Sequence, residues 1–230
     1  MIFLDLFFPP KTTCLLCGEI IKEQFMICKN CEKKLKFIDE RACKICGKPL
    51  EQYGICPDCE NNRHIFDCNV SAFEYDEKMK ELIARFKYYN ERQLSDFFSY
   101  YMTESIKKRD WNIDVIIPVP LHKSKLNERG FNQSELIARN ISYKLNVGMS
   151  KALRRLRDTP TQTVLNREYR INNVKDAFKA LYFDAIKGKN ILLIDDILTT
   201  GATLDECAKV LKDAGATKVY TATIATGRNV

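Results

Sequence analysis

Four CxxC pairs near the start of the chain constrain its folding more than any other feature. Eight of the ten cysteines lie between residues 14 and 59, and the gaps between the pairs are ten, eleven and nine residues. The pattern is an internal repeat, because CLLCG at residue 14 recurs 29 residues later as CKICG. Two residues between cysteines let a tight turn direct both sulfurs at one metal ion, and the following glycine provides backbone freedom for that turn.

Such cysteines either form disulfides or bind zinc. A disulfide framework requires export, whereas the apolar start MIFLDLFFPP has no basic leader and ends in two prolines. We therefore expect two structural zinc ions, each with four sulfur ligands and no open coordination position. Sequential pairing and a cross-brace, in which alternate pairs share an ion, are both open. The eight predicted ligands are Cys14, Cys17, Cys28, Cys31, Cys43, Cys46, Cys56 and Cys59.

The length of 230 residues suits one substantial core with a small appendage. We expect the N-terminal segment and the zinc-binding module over residues 1–65 and a larger domain over residues 66–230. We expect no membrane span, because no apolar run approaches the ~20 residues that a membrane helix needs. The first ten residues are expected to dock on the domain, and the missing export signal predicts a cytoplasmic protein.

The net charge of +7 comes from one part of the chain. Residues 107–170 hold fourteen basic and six acidic side chains, whereas residues 1–68 hold ten of each. A regional bias of this size favours an anionic partner, such as phosphate or nucleic acid.

Strand and helix patterns alternate after residue 68. The strand patterns are NVSAFEYD, DVIIPVP, ILLID and KVYTATIA, and the helical patterns are EKMKELIARFKYY, QLSDFFSYYMTESIKKR, QSELIARNISYKL and TLDECAKVLKDAG. This alternation predicts an α/β fold with a mainly parallel sheet and flanking helices. In such a sheet, ligands bind where strands end and helices begin.

The segment ILLIDDILTTGAT, residues 191–203, joins a predicted central strand to a predicted helix. Amide groups at the helix start, threonine hydroxyls and Gly201 would together form a cradle for a phosphate. Asp195 and Asp196 cannot serve that phosphate, but carboxylates accept hydrogen bonds from a vicinal diol and leave oxygen available for magnesium. A ribose 5-phosphate would place its phosphate in the turn and its hydroxyl groups at the two carboxylates.

The motif IDDILTTGAT resembles the signature of type I phosphoribosyltransferases, whose ligand is phosphoribosyl pyrophosphate (PRPP) with magnesium. Together with PVPLHKSKLNERGFNQSELIA, RRLRDTPTQTVLNREYRINNVKDAF and the cysteine-rich start, it resembles the ComFC-like members of the ComF family. The resemblance implies a type I phosphoribosyltransferase-like domain preceded by a small double zinc-binding module. The ligand contacts it implies are Asp195, Asp196, Thr199, Thr200, Gly201, Ala202 and Thr203.

Two basic stretches correspond, by this resemblance, to the loops that close on pyrophosphate, over residues 118–129 and 154–170. Lys125 stands where family members commonly have arginine, which keeps the positive charge but not a bidentate contact. No catalytic residue is assigned by the sequence. The candidates for catalytic contact with the leaving group are Arg154, Arg155, Arg157, His122, Lys125 and Arg129.

Two interpretations of function follow from the resemblance. In the first, the protein acts in natural transformation, binds single-stranded DNA near the inner face of the membrane, and works with a ComFA-like competence helicase. In the second, it transfers the phosphoribosyl group of PRPP to an unidentified nitrogen acceptor and releases pyrophosphate. We prefer the first for the biological role. The nucleic-acid contacts that it predicts are Lys123, Lys125, Arg129, Arg154, Arg155, Arg157, Arg167 and Arg170.

Overall fold

The computed structural model describes residues 12–21, 26–158 and 172–227. Contacts divide the chain into two compact units, residues 1–36 and 37–230. The division at residue 65 expected from the sequence is a different one, because the second cysteine repeat lies within the larger unit. The first ten residues, with their predicted docking, and most of the second basic stretch lie outside the described residues. Each helix within the described ranges is too short or too polar to cross a membrane.

The smaller unit is formed by the first cysteine repeat. Strand β1 (Thr12–Thr13) pairs antiparallel with β2 (Ile20–Ile21), and helix α1 (Lys29–Glu32) follows. Cys28 precedes α1, and its sulfur accepts a hydrogen bond from the backbone N–H of Cys31. Short elements of this kind bury too little apolar surface to fold alone, which agrees with a metal-dependent module.

The larger unit combines the second cysteine repeat with an α/β domain. Its elements, in chain order, are α2 (Pro57–Asn61), β3 (Cys68–Glu74), α3 (Glu77–Tyr88), α4 (Leu94–Lys107), β4 (Val115–Pro118), α5 (Lys123–Arg129), α6 (Gln133–Leu145), β5 (Leu153–Arg155), β6 (Phe178–Ala180), β7 (Asn190–Leu198), α7 (Ala202–Asp213) and β8 (Lys218–Thr226).

Four strands form the central sheet in the order β3-β8-β7-β4, and all three pairings are parallel, as the sequence predicts. Helices α4 and α6 pack on one face, and α7 packs on the other with β6. Residues 191–194 of β7 are fully buried. A parallel strand between two helical layers reads as a continuous apolar run for this reason.

The second cysteine repeat covers the outer edge of the sheet at β3. The backbone N–H of Asn69 donates to the carbonyl of Ile45 at 2.7 Å, and its side-chain amide donates to the carbonyl of Cys46 at 2.9 Å. The Asn69 Oδ1 in turn accepts a hydrogen bond from Thr221 at 2.8 Å. An edge strand leaves backbone groups unpaired, and the repeat supplies a partner for the backbone N–H of Asn69.

Three details of the fold differ from the sequence-based expectation. The basic stretch 118–129 was expected to be a loop, but it contains α5, which ends at Gly130 with a left-handed φ of 74°. The antiparallel hairpin β5–β6 was not predicted, because each strand has only three residues. Strand β7 continues to Leu198, past its expected end at the carboxylate pair, because Ile197 and Leu198 still pair with β8.

The glycines of the two repeats allow a matched test of the packing at β3. Gly18 and Gly47 have similar left-handed φ values, 74° and 71°. A Cβ added at Gly18 would contact nothing, whereas a Cβ added at Gly47 would lie 2.9 Å from the carbonyl oxygen of Asn69. We expect Gly18→Ala to cost about 1–2 kcal/mol in its own unit, through the left-handed backbone alone. Gly47→Ala should lower the free energy of unfolding further, by about 2–4 kcal/mol. Urea unfolding measures both, and equal losses would contradict the clash.

Candidate functional site

The cysteines form two separate clusters, each made by sequential pairs. Within each cluster the four sulfurs lie within 4.8 Å of one another. The Cys17–Cys28 sulfur distance is 3.8 Å and the Cys46–Cys56 distance is 3.6 Å. A tetrahedral zinc ion with bonds of ~2.3 Å requires sulfur separations of ~3.8 Å. Both clusters therefore fit one zinc ion each, and the sequential pairing is the one that the structure forms.

The turn after β7 has the geometry of an anion cradle. Gly201 has φ 81° and precedes α7, whose first turn contains Ala202 and Thr203. The turn lines a small cavity together with its neighbours from Ile197 to Leu204. Backbone N–H groups at a helix start lack intrahelical partners and carry partial positive charge. The five residues predicted to hold the phosphate, Thr199, Thr200, Gly201, Ala202 and Thr203, thus lie together.

The two carboxylates on β7 face charged and polar partners from both neighbouring helices. Lys87 of α3 approaches Asp196 to 2.6 Å. Ser134 of α6 donates a hydrogen bond to Asp195 at 3.1 Å. Burial, and then the neighbouring charge of Asp196, raises the pKa of Asp195 to about 7. The pair therefore carries less than two negative charges near neutral pH.

Basic side chains line a second cavity, which also has Asp195, Asp196 and Thr203 in its wall and a volume of about 190 Å³. They come from three elements, α3, α5 and β5, and are Lys87, Lys125, Arg129 and Arg155. Burial lowers the pKa of the Lys125 ammonium group and of the Arg155 guanidinium group. Such a cluster of cations beside two carboxylates suits a ligand that is anionic at one end and bears hydroxyl groups at the other.

Two buried donors in this cavity have no acceptor among the described residues. They are Nε of Arg129 and Nε2 of Gln133, a residue that is only 1% exposed. The Arg129 guanidinium does donate to Oε1 of Gln133, at 3.3 Å. An unsatisfied buried donor costs ~1–3 kcal/mol, so the two donors indicate where acceptor atoms of a ligand would lie.

The cavity brings together part of the predicted basic set. Lys125, Arg129 and Arg155 line it with the carboxylates, whereas Lys123, Arg154 and Arg157 are exposed outside it. His122 is the N-cap of α5, and its Nδ1 lies 2.8 Å from the hydroxyl of Ser124, which also donates a hydrogen bond to Asp158. Arg167 and Arg170 lie outside the described residues.

Sequence reasoning missed three polar residues of the cavity. Gln133 and Ser134 lie in the segment GFNQS, which carries the family resemblance, so a closer inspection of that motif could have found them. Lys87 has no local signal, because it is one lysine among several on an amphipathic helix. Only the fold brings it to Asp196.

Two protein-family models match this architecture. Residues 3–60 match the family model of a double zinc ribbon domain, and residues 132–229 match that of a phosphoribosyl transferase domain. Glutamine PRPP amidotransferase from Bacillus subtilis, complexed with ADP and GMP, aligns with a TM-score of 0.41 and 17% identity, over 57% of this chain and 26% of that chain. The fold and the cysteine clusters define a phosphoribosyltransferase-type domain joined to a double zinc ribbon.

Relatives that match most of the chain give the family. The competence protein ComFC of Bacillus subtilis (strain 168) is 30% identical over 237 residues, which cover 89% of this chain and 90% of that protein. Competence protein F of Haemophilus influenzae is 29% identical over 90% of this chain and 93% of that protein. The DNA utilization protein YhgH of Escherichia coli (strain K12) is 28% identical over 84% and 87%. The chain belongs to the ComF family of competence proteins.

The raised pKa of Asp195 gives a pH-dependent stability. Between about pH 4 and pH 7 the folded state binds this proton more tightly than the unfolded state, so the free energy of unfolding falls as pH rises through that window. We expect Asp195→Asn to remove this decline and to be more stable above pH 7, on the order of 2 kcal/mol. Urea unfolding from pH 5 to 8 measures it, with the exposed Asp184→Asn as control. Parallel pH profiles of the Asp195 variant and the original protein would contradict the assignment.

Proposed function

We propose that the protein acts in DNA uptake during natural transformation, and that it binds PRPP with magnesium in the cavity at Asp195 and single-stranded DNA on an adjacent basic surface. Membership of the ComF family supports the DNA-uptake role. The observation that carries the ligand assignment is one cavity in which two carboxylates, four cationic side chains and the start of α7 converge. The proposed location is the cytoplasm, near the inner face of the membrane, with a ComFA-like helicase as partner.

Each part of PRPP has a chemical counterpart in the cavity. The ribose hydroxyls would donate to the two carboxylates, and the 5-phosphate would accept from the amides of residues 199–203. The diphosphate would lie against Lys125, Arg129 and Arg155, where the unsatisfied donors of Arg129 and Gln133 need acceptors. Carboxylate oxygens suit magnesium, which would neutralise the diphosphate charge when bound. Without the ligand, the ammonium group of Lys87 forms an ion pair with the Asp196 carboxylate.

Transfer of the phosphoribosyl group is a second candidate. It is favoured by the cations beside the diphosphate position, because preorganised positive charge stabilises a leaving pyrophosphate. The acceptor would be a nitrogen nucleophile. Pyrophosphate release from PRPP in the presence of nucleobases or amines distinguishes transfer from binding alone.

The hairpin β5–β6 supports the proposal for single-stranded DNA. Arg154 lies directly opposite Lys179, and both side chains are exposed. Like charges in directly opposed positions are destabilising, and a nucleic-acid backbone would relieve the repulsion. Tyr182 and Phe183 follow β6 with exposures of 67% and 59%. Exposed rings beside cations are the combination that binds unpaired bases by stacking and the backbone by charge.

Tyr182 has a further feature that singles out this surface. Its backbone is left-handed, with φ 53° and ψ 62°. Bulky residues rarely adopt this conformation, which costs roughly 1–2 kcal/mol. The fold therefore holds an aromatic side chain in solvent at an energetic cost, three residues after Lys179 in the chain.

Neighbouring arginines on β5 test the ligand cavity. We expect Arg155→Ala to weaken PRPP binding in magnesium by about tenfold or more, because it removes a charge-assisted contact to the diphosphate. Arg154→Ala, one residue away and exposed, should change that affinity by less than about twofold. Asp195→Ala with Asp196→Ala should abolish binding while the protein stays folded. Calorimetry measures all three, and undiminished affinity in the double variant would remove the assignment.

Charge-matched pairs test the DNA surface. We expect Arg154→Ala with Lys179→Ala to weaken oligothymidine binding about tenfold and to reduce its salt dependence, because two phosphate contacts are lost. Arg139→Ala with Lys144→Ala removes the same charge from α6 and should have a much smaller effect. Fluorescence anisotropy at several salt concentrations gives both values. Equal losses from the two pairs would mean that the net charge, and not the hairpin, governs binding.

A further inference from the structure

His64 joins the second cysteine repeat to the helix that begins at the phosphate turn. It follows Cys59 by five residues, and its Nδ1 lies 2.8 Å from Oδ2 of Asp205. The next residue, Ile65, donates its backbone N–H to the other oxygen of Asp205 at 2.6 Å. Asp205 belongs to the first turn of α7. Both oxygens of this carboxylate are therefore tied to the segment that leaves the zinc ribbon.

The His64 ring also packs against the turn itself. A Cβ on Gly201 would lie 2.5 Å from Cε1 and 2.9 Å from Nδ1 of His64, so the ring occupies the space beside this glycine. The His64 side chain is only 7% exposed. The left-handed Gly201 is thus held between its own helix and the imidazole, and the turn has little room to relax.

A packed path leads from His64 to the second cysteine cluster. The imidazole stacks on Phe66, with ring centroids 4.3 Å apart and planes inclined by 17°. Phe66 is buried in the same hydrophobic cluster as Cys43, Cys46, Cys56 and Cys59, and this cluster also contains Leu204 of α7. The first cysteine repeat lies in the other compact unit.

We propose that His64 and Asp205 are positioning residues for the turn at Gly201, and that they couple zinc binding at the second cysteine cluster to binding of a sugar 5-phosphate. The proposal rests on the phosphoribose function proposed above. Backbone amides bind phosphate well only when they are already oriented, since ordering the turn on binding would lower the affinity. The ribbon segment that carries His64 folds around zinc. Because coupling between two binding sites is reciprocal, the sugar phosphate must also hold the second zinc more tightly.

Two ligands that use different parts of the site test the role of His64. We expect His64→Ala to weaken ribose 5-phosphate binding about tenfold and to leave pyrophosphate binding within about twofold, since pyrophosphate uses the cations and not the turn. Asp205→Ala should give the same split, and the double variant should lose no more than either single variant. The exposed neighbour Arg63→Ala is the control.

The calorimetric outcomes separate this inference from the function on which it rests. If the original protein and the His64→Ala variant bind ribose 5-phosphate with equal affinity, the inference is overturned, but the phosphoribose function is not. Parallel loss of both ligands in the His64 variant also overturns it, because it indicates a general loss of structure. Original protein that binds neither ligand overturns the phosphoribose function itself.

Zinc release tests the coupling from the other side. In full-length protein with Cys14→Ser and Cys17→Ser, the second cluster is the remaining intact site. We expect saturating ribose 5-phosphate to slow the release of that zinc to a colorimetric chelator by about threefold or more, and His64→Ala in the same background to abolish the slowing. Release that is unaffected by the ligand, or slowed equally without His64, overturns the coupling.

Discussion

Negative charge in the C-terminal half of the central strand is the constraint around which the rest of the site is arranged. Asp195 and Asp196 follow four fully buried residues of β7, where uncompensated charge is costly. The chain compensates with Lys87 from α3 and the Ser134 hydroxyl from α6. The pKa of Asp195, raised to about 7 by burial and by its neighbour, shows that this compensation is incomplete. A ligand that donates hydroxyl groups and brings a cation would complete it, which is the physical basis of the proposed function.

The two cysteine repeats have nearly the same cysteine spacing but different environments. Cys17 of the first repeat is exposed, whereas its counterpart Cys46 is fully buried. The second cluster shares a hydrophobic core with the sheet, α7 and the hairpin. Zinc supplies folding free energy at either site, but at the second site that energy also supports the α/β core. The second zinc ribbon is therefore part of the α/β domain. Asn69 joins it to the sheet through the Cys46 carbonyl, and His64 joins it to α7 through Asp205.

The sequence predicts those features that depend on local periodicity. The run from Ile191 to Ile194 and the turn at Gly201 carry their own signals, so β7 and α7 follow from the pattern alone, whereas the ligand contacts of residues 199–203 are implied by the family resemblance. Helix α5 was missed because none of its residues is buried, and it therefore has no apolar face to detect. His64 and Asp205 meet across 141 residues. Such contacts have no spacing rule, and only the fold reveals them.

The register of a three-residue strand separates the two proposed anion sites. Alternate residues of a strand face opposite sides, so Arg155 lines the cavity while Arg154 faces solvent beside Lys179. A slip of one residue would exchange the two arginines. The burial of Leu153, together with the Arg155 guanidinium 5.3 Å from the centroid of the Phe178 ring, opposes that slip. Diphosphate bound at Arg155 would hold the same register, and the surface proposed for DNA would be stabilised with it.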